Sequence, residues 1–125
     1  MPVTLDTILL PQQQERLRWL KENVTGTILE VFCSWGHVLS YVKGQAGVDI
    51  NPDLIDLARL MHHHQGREFH LGDARALPLA DKSFDTVMLT DGIEHLDWED
   101  VPQAISEALR VSRRRVLLTV PDGEL

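Results

Sequence analysis

Residues 27–49, TILEVFCSWGHVLSYVKGQAGVD, constrain this chain more than any other stretch. The first seven are rich in β-branched and apolar residues, too few for a helix, and read as a buried strand. Residues 36–42 suit a short helix closed by Gly44, and 46–50 suit a second strand carrying Asp49 near its end. Strand, sharp turn, helix, strand and terminal acid is the layout of a cradle for a nucleoside-bearing cofactor. The turn itself is unusual. Phe32, Cys33, Ser34 and Trp35 precede Gly36, where such turns usually carry several glycines.

The remaining pattern repeats the strand–helix alternation. Residues 1–10 form an arm of mixed character, and 11–25 a leading helix with Pro11 in its first turn, Leu17, Leu20 and Val24 at helical spacing, and Gly26 as its stop. Asn51-Pro52-Asp53 combines a capping side chain, an N-terminal proline and an acid suited to the helix dipole. Leu54, Leu57, Ala58 and Met61 follow at i, i+3, i+4 and i+7, predicting one apolar face. Residues 68–71 read as a third strand, 72–81 as a loop, and 83–90 contain a fourth strand. Asp91-Gly92 signals a turn, and Asp97 or Glu99 is positioned to cap a helix with Val101, Ala104, Ile105 and Ala108 on one face. A fifth strand covers 115–120, ended by Pro121-Asp122-Gly123. This alternation predicts an α/β three-layer sandwich of Rossmann-like type, with a mainly parallel sheet of about five strands. The expected unit is a single domain over residues 1–125.

Composition narrows the function classes. A net charge of -7 disfavours binding to nucleic-acid backbone. Cys33 is the only cysteine, so no intrachain disulfide forms. No apolar run approaches a membrane span and no leader pattern opens the chain, so a cytoplasmic protein is expected. His62-His63-His64 would point about 100° apart on a helix, a poor arrangement for sharing a metal ion. They read as a solvated helix end, and no metal site is expected. Arg113-Arg114-Arg115 reads as a solvated turn.

Acids and small residues fall at successive strand exits: Glu30 and Gly36, Asp49, Gly72-Asp73-Ala74, then Asp91 with Glu94-His95 behind it. A parallel sheet brings all of them to one rim. With these motifs, from ILEVFCSWG through GVDINPDLIDLAR and FHLGDARALPLADKSFDTVML to IEHLDW, ISEALRV and RRVLLTVP, the chain resembles class I S-adenosylmethionine-dependent methyltransferases of the type 11 group. The likeness runs over residues 27–121. It implies the strand order 3-2-1-4-5 and S-adenosylmethionine as cofactor. It also implies roles. Asp49 would accept hydrogen bonds from the ribose diol, and Asp73 from the adenine amino group, with Ile50 and Ala74 walling the base. Glu30 would order the methionine end. Backbone N–H groups of Ser34, Trp35 and Gly36 would hold the carboxylate. Thr90 and Asp91 would lie near the sulfonium, and His95 is the nearest candidate base if the acceptor is a hydroxyl.

Two departures from the family pattern bear on these expectations. Phe32 and Trp35 are large enough to fill methionine or ribose space, or to cover the cofactor. The family sheet normally continues past the fifth strand with an antiparallel pair, which this sequence lacks. An uncovered apolar fifth strand predicts a homodimer through that edge. Two functional readings are open from sequence: methyl transfer to a small-molecule acceptor, or a catalytically inactive methyltransferase-like module for binding or assembly.

Overall fold

A computed structural model describes residues 2–8 and 13–121. Its elements are β1 (Thr4–Ile8), α1 (Gln13–Asn23), β2 (Ile28–Val31), α2 (His37–Tyr41), β3 (Ala46–Asp49), α3 (Pro52–His62), β4 (Glu68–Leu71), β5 (Phe84–Thr90), α4 (Val101–Val111) and β6 (Ser112–Thr119). Short 3-10 turns cover His63–Gln65, Ile93–His95 and Trp98–Asp100.

All strand pairs are parallel, and the sheet order is β1-β6-β5-β2-β3-β4. The five expected strands stand in the expected order, but among the described residues the sheet has six. The residues expected to form an arm contribute β1, which pairs with β6 from Thr4↔Arg115 to Ile8↔Thr119. The strand expected to be an uncovered edge is therefore an inner strand, and the reason for expecting a dimer there is gone. Strand-to-strand pairing across more than a hundred residues leaves no local mark in the sequence.

Two apolar layers sandwich the sheet. On one face Leu20 of α1, Val38 and Leu39 of α2, and Ile55 and Ala58 of α3 pack on Ile28, Met88 and Leu117. On the other, Ala104, Ala108 and Val111 of α4 pack on Leu29, Val31, Val87, Leu89, Val116 and Leu118. Successive strand residues thus face opposite layers, as the period-two pleat requires. No helix among the described residues is long and apolar enough to cross a membrane.

Asn51 caps α3 as its sequence indicates, accepting from the Asp53 and Leu54 N–H groups at 2.9 and 3.4 Å. The buried face of α3, however, is Ile55, Ala58 and His62, while Leu57 and Met61 are exposed. The apolar spacing is real, but the helix turns a neighbouring stripe inward. α4 begins at Val101 after the Trp98–Asp100 turn, and neither Asp97 nor Glu99 caps it. Pro11 and Asp122-Gly123 lie outside the described residues.

Candidate functional site

Strand exits converge at the carboxyl rim between β2 and the flanking β3 and β5. The 32–36 turn follows β2 there. Phe32, Ser34 and Gly36 have φ of 66°, 53° and 88°. Alternate residues are left-handed, the conformation in which a glycine would carry no steric cost. Holding Phe32 and Ser34 there costs about 1–2 kcal/mol each. Three backbone-directed bonds offset this. Cys33 N–H donates to Val48 O at 3.0 Å, Gly36 N–H to Cys33 O at 2.9 Å, and Ser34 N–H to Asp49 Oδ2 at 2.9 Å. Asp49 Oδ1 also accepts from Asn51 N–H at 3.0 Å. The acid ending β3 therefore ties the first turn to the start of α3.

Phe32 and Trp35 diverge. The Phe32 ring lies on Gly92, where an added Cβ would sit 2.2 Å from Phe32 Cγ. A narrow cleft of about 50 Å³ is lined by Val31, Phe32, Val48, Asp49, Ile50, Gly72, Asp73, Ala74 and Leu96. Ile50 is 67% exposed at the lip. Small-molecule sites typically measure roughly 300–1,000 Å³, so the cleft takes a nucleoside only if its walls part.

Trp35 turns away from this cleft toward α3. Its indole stacks on His37 at 4.8 Å and on His62 at 6.2 Å between centroids. His62 is buried, contrary to the expectation of a solvated helix end, while His63 and His64 are exposed. Nε2 of His62 lies 3.1 Å from the Trp35 carbonyl, which only accepts, so Nε2 carries a proton. The same ring leaves no room at Gly36, where a Cβ would sit 2.9 Å from His62 Cδ2. His62 thus packs the glycine-poor turn from behind, a role that a run of three histidines did not reveal. No group of three His, Cys, Asp or Glu suited to a metal ion occurs among the described residues.

Glu30 lies beneath the turn and is 1% exposed. Its Oε2 accepts from the Thr90 hydroxyl, and Oε1 has no hydrogen bond of ordinary geometry. Burial pushes its pKa up to about 8, with Asp91 and Asp49 adding to the rise. The Thr90 hydroxyl and the nearby Leu39 N–H oppose the shift without cancelling it. Burial likewise pushes the Cys33 thiol up, so it is no nucleophile at neutral pH.

The remaining sequence-predicted residues have partners of their own. Asp91 (φ 48°) stands 3.4 Å from Arg16 of α1 and accepts from Thr119 Oγ1 at 2.9 Å. Asp73 is gripped by Arg75 at 2.7 Å, and that guanidinium holds its carboxyl below the usual range. Arg75 also reaches Asp100 at 3.2 Å, which anchors the cleft wall to the start of α4. His95 points outward with 81% of its side chain exposed. Glu94 beside it is turned in, 11% exposed, with neither oxygen hydrogen-bonded.

The methyltransferase domain profile matches residues 28–115, a span reaching from β2 into β6. The chain belongs to the methyltransferase domain family. Among curated members, it is 36% identical over 98 residues to a phthiotriol/phenolphthiotriol dimycocerosates methyltransferase of Mycobacterium leprae, covering 73% of this chain and 36% of that one. It is 40% identical over 92 residues to a fatty-acid O-methyltransferase of Mycolicibacterium smegmatis, covering 69% and 33%. The chain thus spans about a third of the length of these relatives. A crystal structure of a SAM-dependent methyltransferase from Thermotoga maritima superposes with a TM-score of 0.70 at 27% identity, covering 80% of this chain and 46% of that one.

In this methyltransferase domain, Asp49, Ile50, Asp73 and Ala74 share one cleft with Phe32 of the turn, and Glu30 and Thr90 are buried outside its lining. His95, Asp91 and the Trp35 side chain do not line it. The sequence pattern does not mark Arg16, Leu96 or His62: Arg16 meets Asp91, His62 meets Trp35, and Leu96 lines the cleft, contacts that spacing does not encode. Phe32 was legible as a bulky residue at a glycine position, but not the surface it would choose.

Proposed function

We propose that this domain binds S-adenosylmethionine and transfers its methyl group to a small-molecule acceptor. The observation carrying this reading is the Asp49 carboxylate, hydrogen-bonded at 2.9 Å to Ser34 N–H across a turn that keeps left-handed φ at Phe32, Ser34 and Gly36. The chain maintains the cradle's backbone path at an energetic cost even where glycines are replaced.

The residues fit the cofactor unequally. At the nucleoside end, Asp49 retains lone pairs for a ribose diol, and Ile50 and Ala74 offer apolar walls. Asp73 is ionised and has acceptor capacity beside Arg75. At the methionine end, Glu30 has an unpaired oxygen. The Ser34 and Gly36 N–H groups are engaged by Asp49 and Cys33, which leaves the Trp35 N–H as the turn's donor for the carboxylate. The Phe32 ring must rotate off Gly92 for the whole ligand to enter, and its half-buried position leaves it a solvent side to rotate into. Trp35 contributes backbone, since its indole belongs to the His37–His62 stack. When bound, the cofactor supplies an electrophilic methyl group for in-line displacement, so the protein's task is mainly positioning. Arg16 and Thr119 orient Asp91 at the exit of β5. His95 is exposed and outside the cleft, so it would serve as a base only for a hydroxyl acceptor bound toward the outer side of the rim. The names of the mycobacterial relatives point to a lipid-like acceptor.

A second reading, a binding module without catalysis, is favoured by one observation, the packing of Phe32 on Gly92 that narrows the cleft. Calorimetric titration with S-adenosylhomocysteine separates the two. Micromolar binding abolished by Asp49→Ala supports the cofactor site. No heat at millimolar ligand favours the second reading.

A further inference from the structure

Glu30 is a buried carboxyl without a counter-charge. It forms no ion pair among the described residues, and its one side-chain partner is the neutral Thr90 hydroxyl. Oε1 is enclosed and unbonded. The groups facing it are of the wrong sign or neutral. Asp49 approaches from β3 and Asp91 from the end of β5, and both are carboxylates. The Cys33 thiol in the turn is held neutral by burial and by the same acids. From α2, the Leu39 N–H offers a dipole. His37 on the same helix lies near Asp91, and burial lowers its pKa. From α1, Arg16 is directed at Asp91. A carboxylate so placed lacks the pairing that a buried charge requires.

We propose that Glu30 is protonated in the unliganded domain and releases its proton to solvent when the ammonium group of the methyl donor enters the 32–36 turn. This rests on the methyl-donor reading above. The O–H bond of the carboxyl breaks, its electron pair stays on oxygen, and the proton passes to the buffer. The ligand cation then supplies the charge that the empty site lacks. Burial, which raises the pKa to about 8, is in keeping with a protonated Glu30 at neutral pH. Occupancy of the donor site is thereby tied to pH. Affinity rises with pH, by up to about tenfold per unit, until Glu30 is ionised in the unliganded protein.

S-Adenosylhomocysteine carries the same ammonium and serves as the probe. Titrations at pH 7 in phosphate and in Tris are expected to differ in apparent enthalpy by close to one proton released per ligand. In Glu30→Gln the difference at pH 7 is expected to be absent. Binding with no buffer dependence at pH 7 would overturn the proton coupling while leaving the cofactor reading intact. No binding at all in the wild-type protein would overturn the cofactor reading and the coupling with it. Carbon-detected NMR of the Glu30 carboxyl in the unliganded protein gives an independent check. A midpoint near 8 supports the proposal, and one near the ordinary 4.5 contradicts it.

Discussion

At the residue scale, the positions that set the site's properties are Phe32 and Glu30. Phe32 is held at φ 66° with its ring on Gly92. Phe32→Gly removes the strain and the obstruction together, so S-adenosylhomocysteine should bind about tenfold tighter, near 1.4 kcal/mol, by calorimetry. Unchanged or weaker binding would mean that the ring lines the occupied site. Glu30 controls a different quantity. Its folded pKa of about 8 stands above the ordinary 4.5, so between those values the folded state holds a proton that the unfolded state has lost. Stability is therefore greatest below about pH 4.5 on this account and falls as pH rises through 8. Glu30→Gln, which keeps an acceptor for Thr90, should raise unfolding stability by on the order of 2 kcal/mol at pH 9 and change it little at pH 5. Denaturant titrations at the two pH values test this. The place of Glu30 just before the turn was legible in the sequence. Its missing counter-charge was not, because it depends on which residues fold over it.

At the element scale, the legible parts are those decided by neighbours in sequence. Asn51-Pro52-Asp53 starts α3 because the capping side chain reaches the next N–H groups whatever the rest of the chain does. Asn51→Ala should cost about 1 kcal/mol, lowering the melting temperature by about 4 °C. The loss should extend to the 32–36 turn, since α3 carries His62 against Trp35 and Gly36. β1 lies at the other extreme. The segment TLDTI has an ordinary strand composition, but its partner begins beyond residue 111. Deleting residues 2–8 should expose the edge of β6 and cause concentration-dependent self-association in sedimentation velocity, which the full chain should not show. Equal behaviour of the two proteins would mean that β1 does not protect this edge.

At the scale of the whole molecule, a parallel sheet explains why the candidate residues gather at one rim, as their positions at strand exits predict. It sends Glu30, Asp49, Asp73 and Thr90 to one rim regardless of the loops between them. The loops decide what that rim can hold, and their contacts join distant positions: Phe32 with Gly92, Arg16 with Asp91, Arg75 with Asp100. Family membership follows from the shared framework, whereas a live donor site depends on whether a turn with two non-glycine residues in left-handed conformation still receives the ligand. The backbone amides of Ser34, Trp35 and Gly36 report this directly. In a titration of the labelled protein with S-adenosylhomocysteine followed by amide NMR, these three signals and that of Asn51, whose N–H bonds Asp49, should shift together and saturate. Signals that stay in place up to millimolar ligand would contradict the account.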